Sequence, residues 1–189
     1  LENGLTLRST LSGLLLLNTE MSVKISSARR SFSMKTGRDA EIRFKRAAEA
    51  LGLSVTKSTR QEDKELHVDY WMALDGKGHW GVDVKGNNRP DEIWCEFKNV
   101  GGNPGWMYGE AAVIAFDMPE AGGFCIVNRD ELATYCEENV SDEAVTHKRN
   151  AYKKKYTRKD RKDVITILYL SDIQALDSYR VWEYFNDYS

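Results

Sequence analysis

At 189 residues, with 41% hydrophobic and 11% aromatic content, the chain is long enough to bury a real core and too apolar for a disordered protein. Its formal net charge of -2 argues against a protein that coats nucleic acid indiscriminately, yet the charge is uneven. The middle is acidic or neutral, while 147–162, HKRNAYKKKYTRKDRK, is densely basic. Cys95, Cys125 and Cys136 form no C-x-x-C pair, so neither a disulfide framework nor a zinc site is expected, and a reducing cytoplasm is the natural compartment.

In chain order, residues 1–33 read as a leader outside the fold, either poorly ordered or an over-extended reading frame. Its apolar run LSGLLLL is too short to span a membrane and lacks the basic flank of a secretory signal. One domain is expected over 34–189. Ala40, Phe44, Ala47 and Leu51 recur at helical spacing, and Gly52 ends that helix. LSVTKST predicts a strand, RQEDKE a polar loop, and LHVDYWMAL and HWGVDVKG two strands of a hairpin turned by DGKG. IWCEFKNV predicts a third strand, and GGNPGWMYGE an irregular loop because Gly and Pro interrupt it. AAVIAFD and GFCIVN predict strands, RDELATYCEEN a helix, and the basic run a helical segment up to YTRKD. DVITILYL predicts a buried strand, and SDIQAL a short helix capped by Ser171 or Asp172. The fold class is α/β or α+β, with one mixed sheet, an opening helix and flanking helices.

The hairpin carries the chemistry. Side chains alternate along a strand, so Val82 and Val84 share one face, expected on a helix layer, and Asp83 and Lys85 share the other, open face. Asp69 lies in the adjacent strand, close enough for the two carboxylates to converge. Like charges so close repel unless a cation lies between them, and oxygen ligands suit Mg²⁺ or Mn²⁺. A metal held there activates water and neutralises a phosphate in transit, with the lysine orienting the water or stabilising charge.

Asp69, a hairpin and then Asp83-Val84-Lys85 resemble the PD-(D/E)XK nuclease superfamily, whose signature is an acid followed on the next strand by D/E-x-K. Glu41, in GRDAEIRFKRAAEALG, matches a metal-directed glutamate often found on that family's opening helix. The stretch IWCEFKNVGGNPGWMYGEAAVIAF is similar to uncharacterised phage-type members. The resemblance runs roughly from Lys35 to Tyr169, with Val68 in place of the proline of PD. It implies a restriction-endonuclease-like core and a Mg²⁺-dependent endonuclease acting on DNA, in the cytoplasm of a bacterium or phage-infected host. Asp69, Asp83, Glu41 and the Val84 carbonyl would bind metal, and Lys85 would position the attacking water. A second register, with Asp83 upstream of Glu96-Phe97-Lys98, predicts the same chemistry. The first is preferred because the tight hairpin joins Asp69 to Asp83, leaving Glu96 at the edge of the site.

Trp106 and Tyr108 are candidates for stacking on a base, against the reading of Trp106 as a hydrophobic plug. Arg149, Lys153, Lys154, Lys155 and Arg158 are candidates for phosphate contact, against a solvated charged face. His67 and His79 read as strand-end histidines. A two-fold homodimer is the simplest arrangement for cutting both strands of a duplex. The rival functional readings are a non-catalytic nucleic-acid-binding module of the same fold, within a phage replication or recombination complex, and a purely structural or protein-binding domain.

Overall fold

The computed structural model describes residues 37–75, 78–86 and 89–185. The leader expected over 1–33 lies outside the described residues. Helix α1 (Gly37–Ala50) buries Ala40, Phe44, Ala47 and Ala48, an apolar stripe at helical spacing, and Gly52 beyond it takes a positive φ of 80° that favours glycine. Strand β1 (Ser54–Lys57) follows, then helix α2 (Arg60–Leu66), where the sequence reading expected a loop. Thr59 explains that helix. Its hydroxyl accepts from the Glu62 N–H at 3.2 Å, and the Glu62 carboxylate accepts from the Thr59 N–H at 2.8 Å, the reciprocal capping box that starts a polar helix.

Strands β2 (Tyr70–Ala73) and β3 (His79–Gly86) form the expected hairpin. They belong to a six-stranded sheet ordered β1-β2-β3-β5-β6-β10, completed by β5 (Val113–Met118), β6 (Gly123–Asn128) and β10 (Arg180–Glu183). All neighbours run antiparallel except β3 and β5, which are parallel. A parallel pair needs a long crossover, and this one contains strand β4 (Glu92–Lys98) and the Gly-rich loop, with a 3₁₀ turn at Trp106–Tyr108.

The expectation of one sheet is corrected here. Strand β4 does not join the hairpin, because both edges of β3 are already taken by β2 and β5. It pairs instead with β9 (Val164–Tyr169) in a second sheet, ordered β4-β9-β8-β7. The remaining strands of that sheet are β7 (Ser141–Val145) and β8 (Lys154–Tyr156), which lie parallel. The basic run is therefore a 3₁₀ turn (Lys148–Asn150) and a short strand, not a helix. Helix α3 (Arg129–Asn139) covers the expected residues. Helix α4 (Leu170–Gln174) is capped by neither Ser171 nor Asp172, which lie inside it. Its N-cap is Tyr169, whose N–H donates to the Asp172 carboxylate at 2.8 Å.

Two apolar clusters hold these elements. On one face of the six-stranded sheet, Phe44 and the α1 alanines pack on Tyr70, Met72, Val82, Val84, Ala115, Phe124 and Ile126. On the other, Ile114, Phe116, Cys125 and Val127 meet Ile93, Cys95 and Phe97 of β4 and Leu132 and Cys136 of α3. The molecule is α+β, with two mixed sheets, and among the described residues no helix is long and apolar enough to cross a membrane.

Candidate active site at the β2–β3 hairpin

Val82 and Val84 pack on α1 as the alternation requires, which turns Asp83 and Lys85 to the opposite face. That face is not open, contrary to expectation. The second apolar layer covers it, and Asp83 is only 3% exposed. Asp69 precedes β2, and its N–H donates to the Val82 carbonyl at 2.8 Å. This bond lies one residue out of step with the Tyr70–Val82 pairing, and Asp69 stands close enough to Asp83 for its charge to act on that carboxyl. One oxygen of Asp69, Oδ2, accepts from the Val84 N–H at 2.8 Å, so the backbone of the D-x-K strand fixes the first acid.

Lys85 Nζ lies 2.7 Å from Asp83 Oδ2. That oxygen is buried, and the Lys85 ammonium against it offsets its charge. Burial raises the Asp83 carboxyl to about 7; Lys85 pulls against this shift, and the neighbouring Asp69 adds to it. A carboxyl in that range, in a buried pair of acids, is a common signature of a functional site.

Lys57, which the sequence reading passed over, joins the third expected acid to the pair. Its Nζ is 2.7 Å from Glu41 Oε2 and 3.4 Å from Asp69 Oδ1, and 4.6 Å from the Tyr70 ring centroid. Burial lowers the Lys57 pKa, but the Glu41 hydrogen bond and the charges of Asp69 and Glu41 outweigh it and leave it raised. No signal in the sequence singled it out: the antiparallel β1–β2 register, seen in the fold, sets Lys57 opposite Tyr70. Glu41 thus reaches the hairpin through an ammonium group.

The crossover closes the other side. Glu96 accepts from the Trp106 backbone; burial raises its pKa, while the charge of Lys85 opposes. Glu96 therefore shares the field of Lys85, as the edge position implied. Lys98 is exposed beyond an irregularity between Glu96 and Lys98, so the second register does not bring its lysine to Asp83 as the first brings Lys85. Trp106 is buried, 6.0 Å from Phe116 between ring centroids, with Lys85 Nζ 5.1 Å from its ring. It is a plug against which the lysine rests, and it offers no free face to a base. Tyr108 is the exposed ring of this loop. A Cβ on Gly105 would collide with the Glu96 carbonyl, and one on Gly109 would come within 2.7 Å of His67 Cβ and the Leu66 carbonyl. Glycine is needed there for close approach. His67 caps α2 in a left-handed conformation, and burial together with Lys85 lowers its pKa. His79 packs edge-on to Trp71.

Most of the expected phosphate-binding cations are paired with acids. Lys153 meets Asp172 at 2.8 Å, Lys154 meets Glu143 at 2.6 Å, and Lys155 meets Asp142. Arg158 pairs with the fully buried Asp163. Arg149 is exposed, with no ion pair among the described residues. The density of positive charge in the sequence is thus offset by acids, near along the chain for Arg158 and distant for the three lysines.

Among the described residues, no three His, Cys, Asp or Glu side chains are grouped to hold a metal. The set that fits a hard divalent cation is the Asp69–Asp83 pair alone. It is oxygen-only, with the Lys85 ammonium already 2.7 Å from Asp83 Oδ2 and the Asp83 carboxyl raised by burial. Comparison with known proteins gave no match to a family model, a curated protein or a solved structure.

Proposed function

We propose that this chain is a metal-dependent deoxyribonuclease of the PD-(D/E)XK type, an endonuclease centred on Asp69, Asp83 and Lys85. The observation that carries this reading is the buried pairing of Asp83 with Asp69 under Lys85, with the Asp83 carboxyl raised to about 7. The order of elements supports it: an opening helix bearing Glu41, then an acid beside a D-x-K strand.

Asp69, Asp83 and the Val84 carbonyl would hold Mg²⁺ or Mn²⁺, which when bound supplies charge neutralisation at a phosphate and a more acidic water. Lys85, held between Asp83 and the Trp106 ring, would orient the water and stabilise charge on the phosphate oxygens. Lys57 holds Glu41 and steadies Asp69 from outside. This tie also favours a second reading, a nucleic-acid-binding module without catalysis, since the ammonium already occupies the place between two of the three acids.

Supercoiled plasmid, single-stranded circles and a branched duplex, incubated with Mg²⁺, Mn²⁺ or EDTA, separate the two. Metal-dependent cleavage lost in Asp83→Ala is expected. Binding without hydrolysis of any substrate in either metal would favour the module.

A further inference from the structure

The basic run divides into two halves with different fates. In the first half, Lys148, Lys153, Lys154 and Lys155 are matched to Glu92, Asp172, Glu143 and Asp142, while Arg149 is exposed without an ion pair among the described residues. A cation already paired with a carboxylate has less to gain from a phosphate, because the pair must first be broken. In the second half, Lys159, Arg161 and Lys162 are exposed and make no ion pair among the described residues. They share a short loop with one exposed acid, Asp160, which sits at a turn with φ 60°. The Arg161 N–H donates to the Arg158 carbonyl at 3.2 Å, so the loop folds back on itself.

That loop borders the crossover between β3 and β5. Its C-terminal end enters β9, where Val164 lies opposite Lys98, another exposed cation without an ion pair among the described residues. Lys162 borders the Gly-rich crossover: a Cβ on Gly102 would lie 3.4 Å from Lys162 Cβ. The N-terminal end is anchored by Arg158 on buried Asp163. Both of those groups act electrostatically on Glu96, which also feels Lys85. Lys98 and the 159–162 loop therefore border the crossover that carries Glu96, whose carboxyl feels both Lys85 and Arg158.

We infer that the 159–162 loop and Lys98, rather than Lys153–Lys155, form the surface that takes the phosphate backbone of DNA and leads it to the hairpin. The choice of DNA rests on the nuclease reading above. Unpaired surface cations release counterions when they meet phosphates, and the salt dependence of binding counts them.

The full chain would be titrated with a labelled DNA duplex by fluorescence anisotropy, in EDTA to prevent cleavage, across a series of salt concentrations. The wild type would be compared with Lys159→Gln/Arg161→Gln/Lys162→Gln and with Lys154→Gln/Lys155→Gln. Each lost phosphate contact lowers the slope of log K against log salt by about 0.9, so the loop variant should lose about 2 to 3 of slope and the strand variant almost none. Equal losses in the two variants, an unchanged slope in the loop variant, or no duplex binding by the wild type at low salt would overturn the inference. Binding to RNA but not DNA would overturn it as well. The nuclease reading fails separately: binding that follows this pattern, with no cleavage in Mg²⁺ or Mn²⁺, removes the enzyme and leaves the surface.

Discussion

Replacing Asp83 with asparagine should stabilise the protein above neutral pH. The side chain keeps its shape and loses its charge, in a place only 3% exposed and beside a second acid. The carboxyl ionises at about 7 in the folded chain, against an ordinary value of 3.8. The folded state therefore holds the proton more tightly than the unfolded state. That contribution to stability is fully present below the unfolded value and is lost as pH rises through about 7. About three pKa units at 1.36 kcal/mol each gives an upper figure of about 4 kcal/mol. Relaxation around the ionised group and the loss of the Lys85 contact in the variant reduce this to about 2 kcal/mol or more. For a chain of this size that is about 4–8 °C in Tm. The assay is thermal unfolding in EDTA from pH 4.5 to 8.5. The wild type should lose stability toward pH 8 relative to Asp83→Asn, and the two should converge at the acid end. Parallel profiles, or a variant less stable than wild type at pH 8, would refute the reasoning.

Thr59→Ala removes one half of the capping box and should cost about 1 kcal/mol in urea unfolding; a change near zero would mean that α2 is held by tertiary contacts alone. Gly105→Ala drives a Cβ into the Glu96 carbonyl and should cost about 3 kcal/mol or more, seen as loss of soluble protein or a large fall in Tm. Gly101→Ala, where the nearest atom is a side-chain oxygen at 3.3 Å, should be tolerated. Lys57→Met removes a partly exposed ion pair, so stability should change by less than about 1 kcal/mol. The same change frees Glu41 and Asp69 from an ammonium group. Mn²⁺ binding, followed by electron paramagnetic resonance, should tighten about tenfold, the equivalent of about 1.4 kcal/mol of repulsion removed; equal or weaker binding would show that Lys57 does not compete with a cation.

The local pattern of the hairpin was legible because period-two alternation is a property of one strand. It placed Val82 and Val84 on the α1 side and Asp83 with Lys85 on the other. The burial of Asp83 was not legible, because what covers a face comes from elements distant along the chain, here β4, the Trp106 plug and α3. Strand β4 had the alternation of a strand, yet nothing local says which sheet it joins; that is decided by the β3–β5 pairing. The Thr59–Glu62 spacing was a readable capping box, but composition alone made RQEDKE look like a loop. The basic run shows the opposite limit. Its charge was plain in the sequence, but its neutralisation depends on Asp142, Glu143 and Asp172, which only the fold brings to Lys155, Lys154 and Lys153.

The most direct test of a nuclease centre at this hairpin is plasmid nicking in Mg²⁺ at pH 8 by wild type and Lys85→Met, with the fold of each checked by circular dichroism. Lys85 lies beside the Asp83 carboxylate, and its charge is what the proposed chemistry uses. The account predicts metal-dependent nicking by the wild type and a loss of about 100-fold or more in a folded variant. Nicking by Lys85→Met within a few-fold of wild type, or none by either protein, would contradict it.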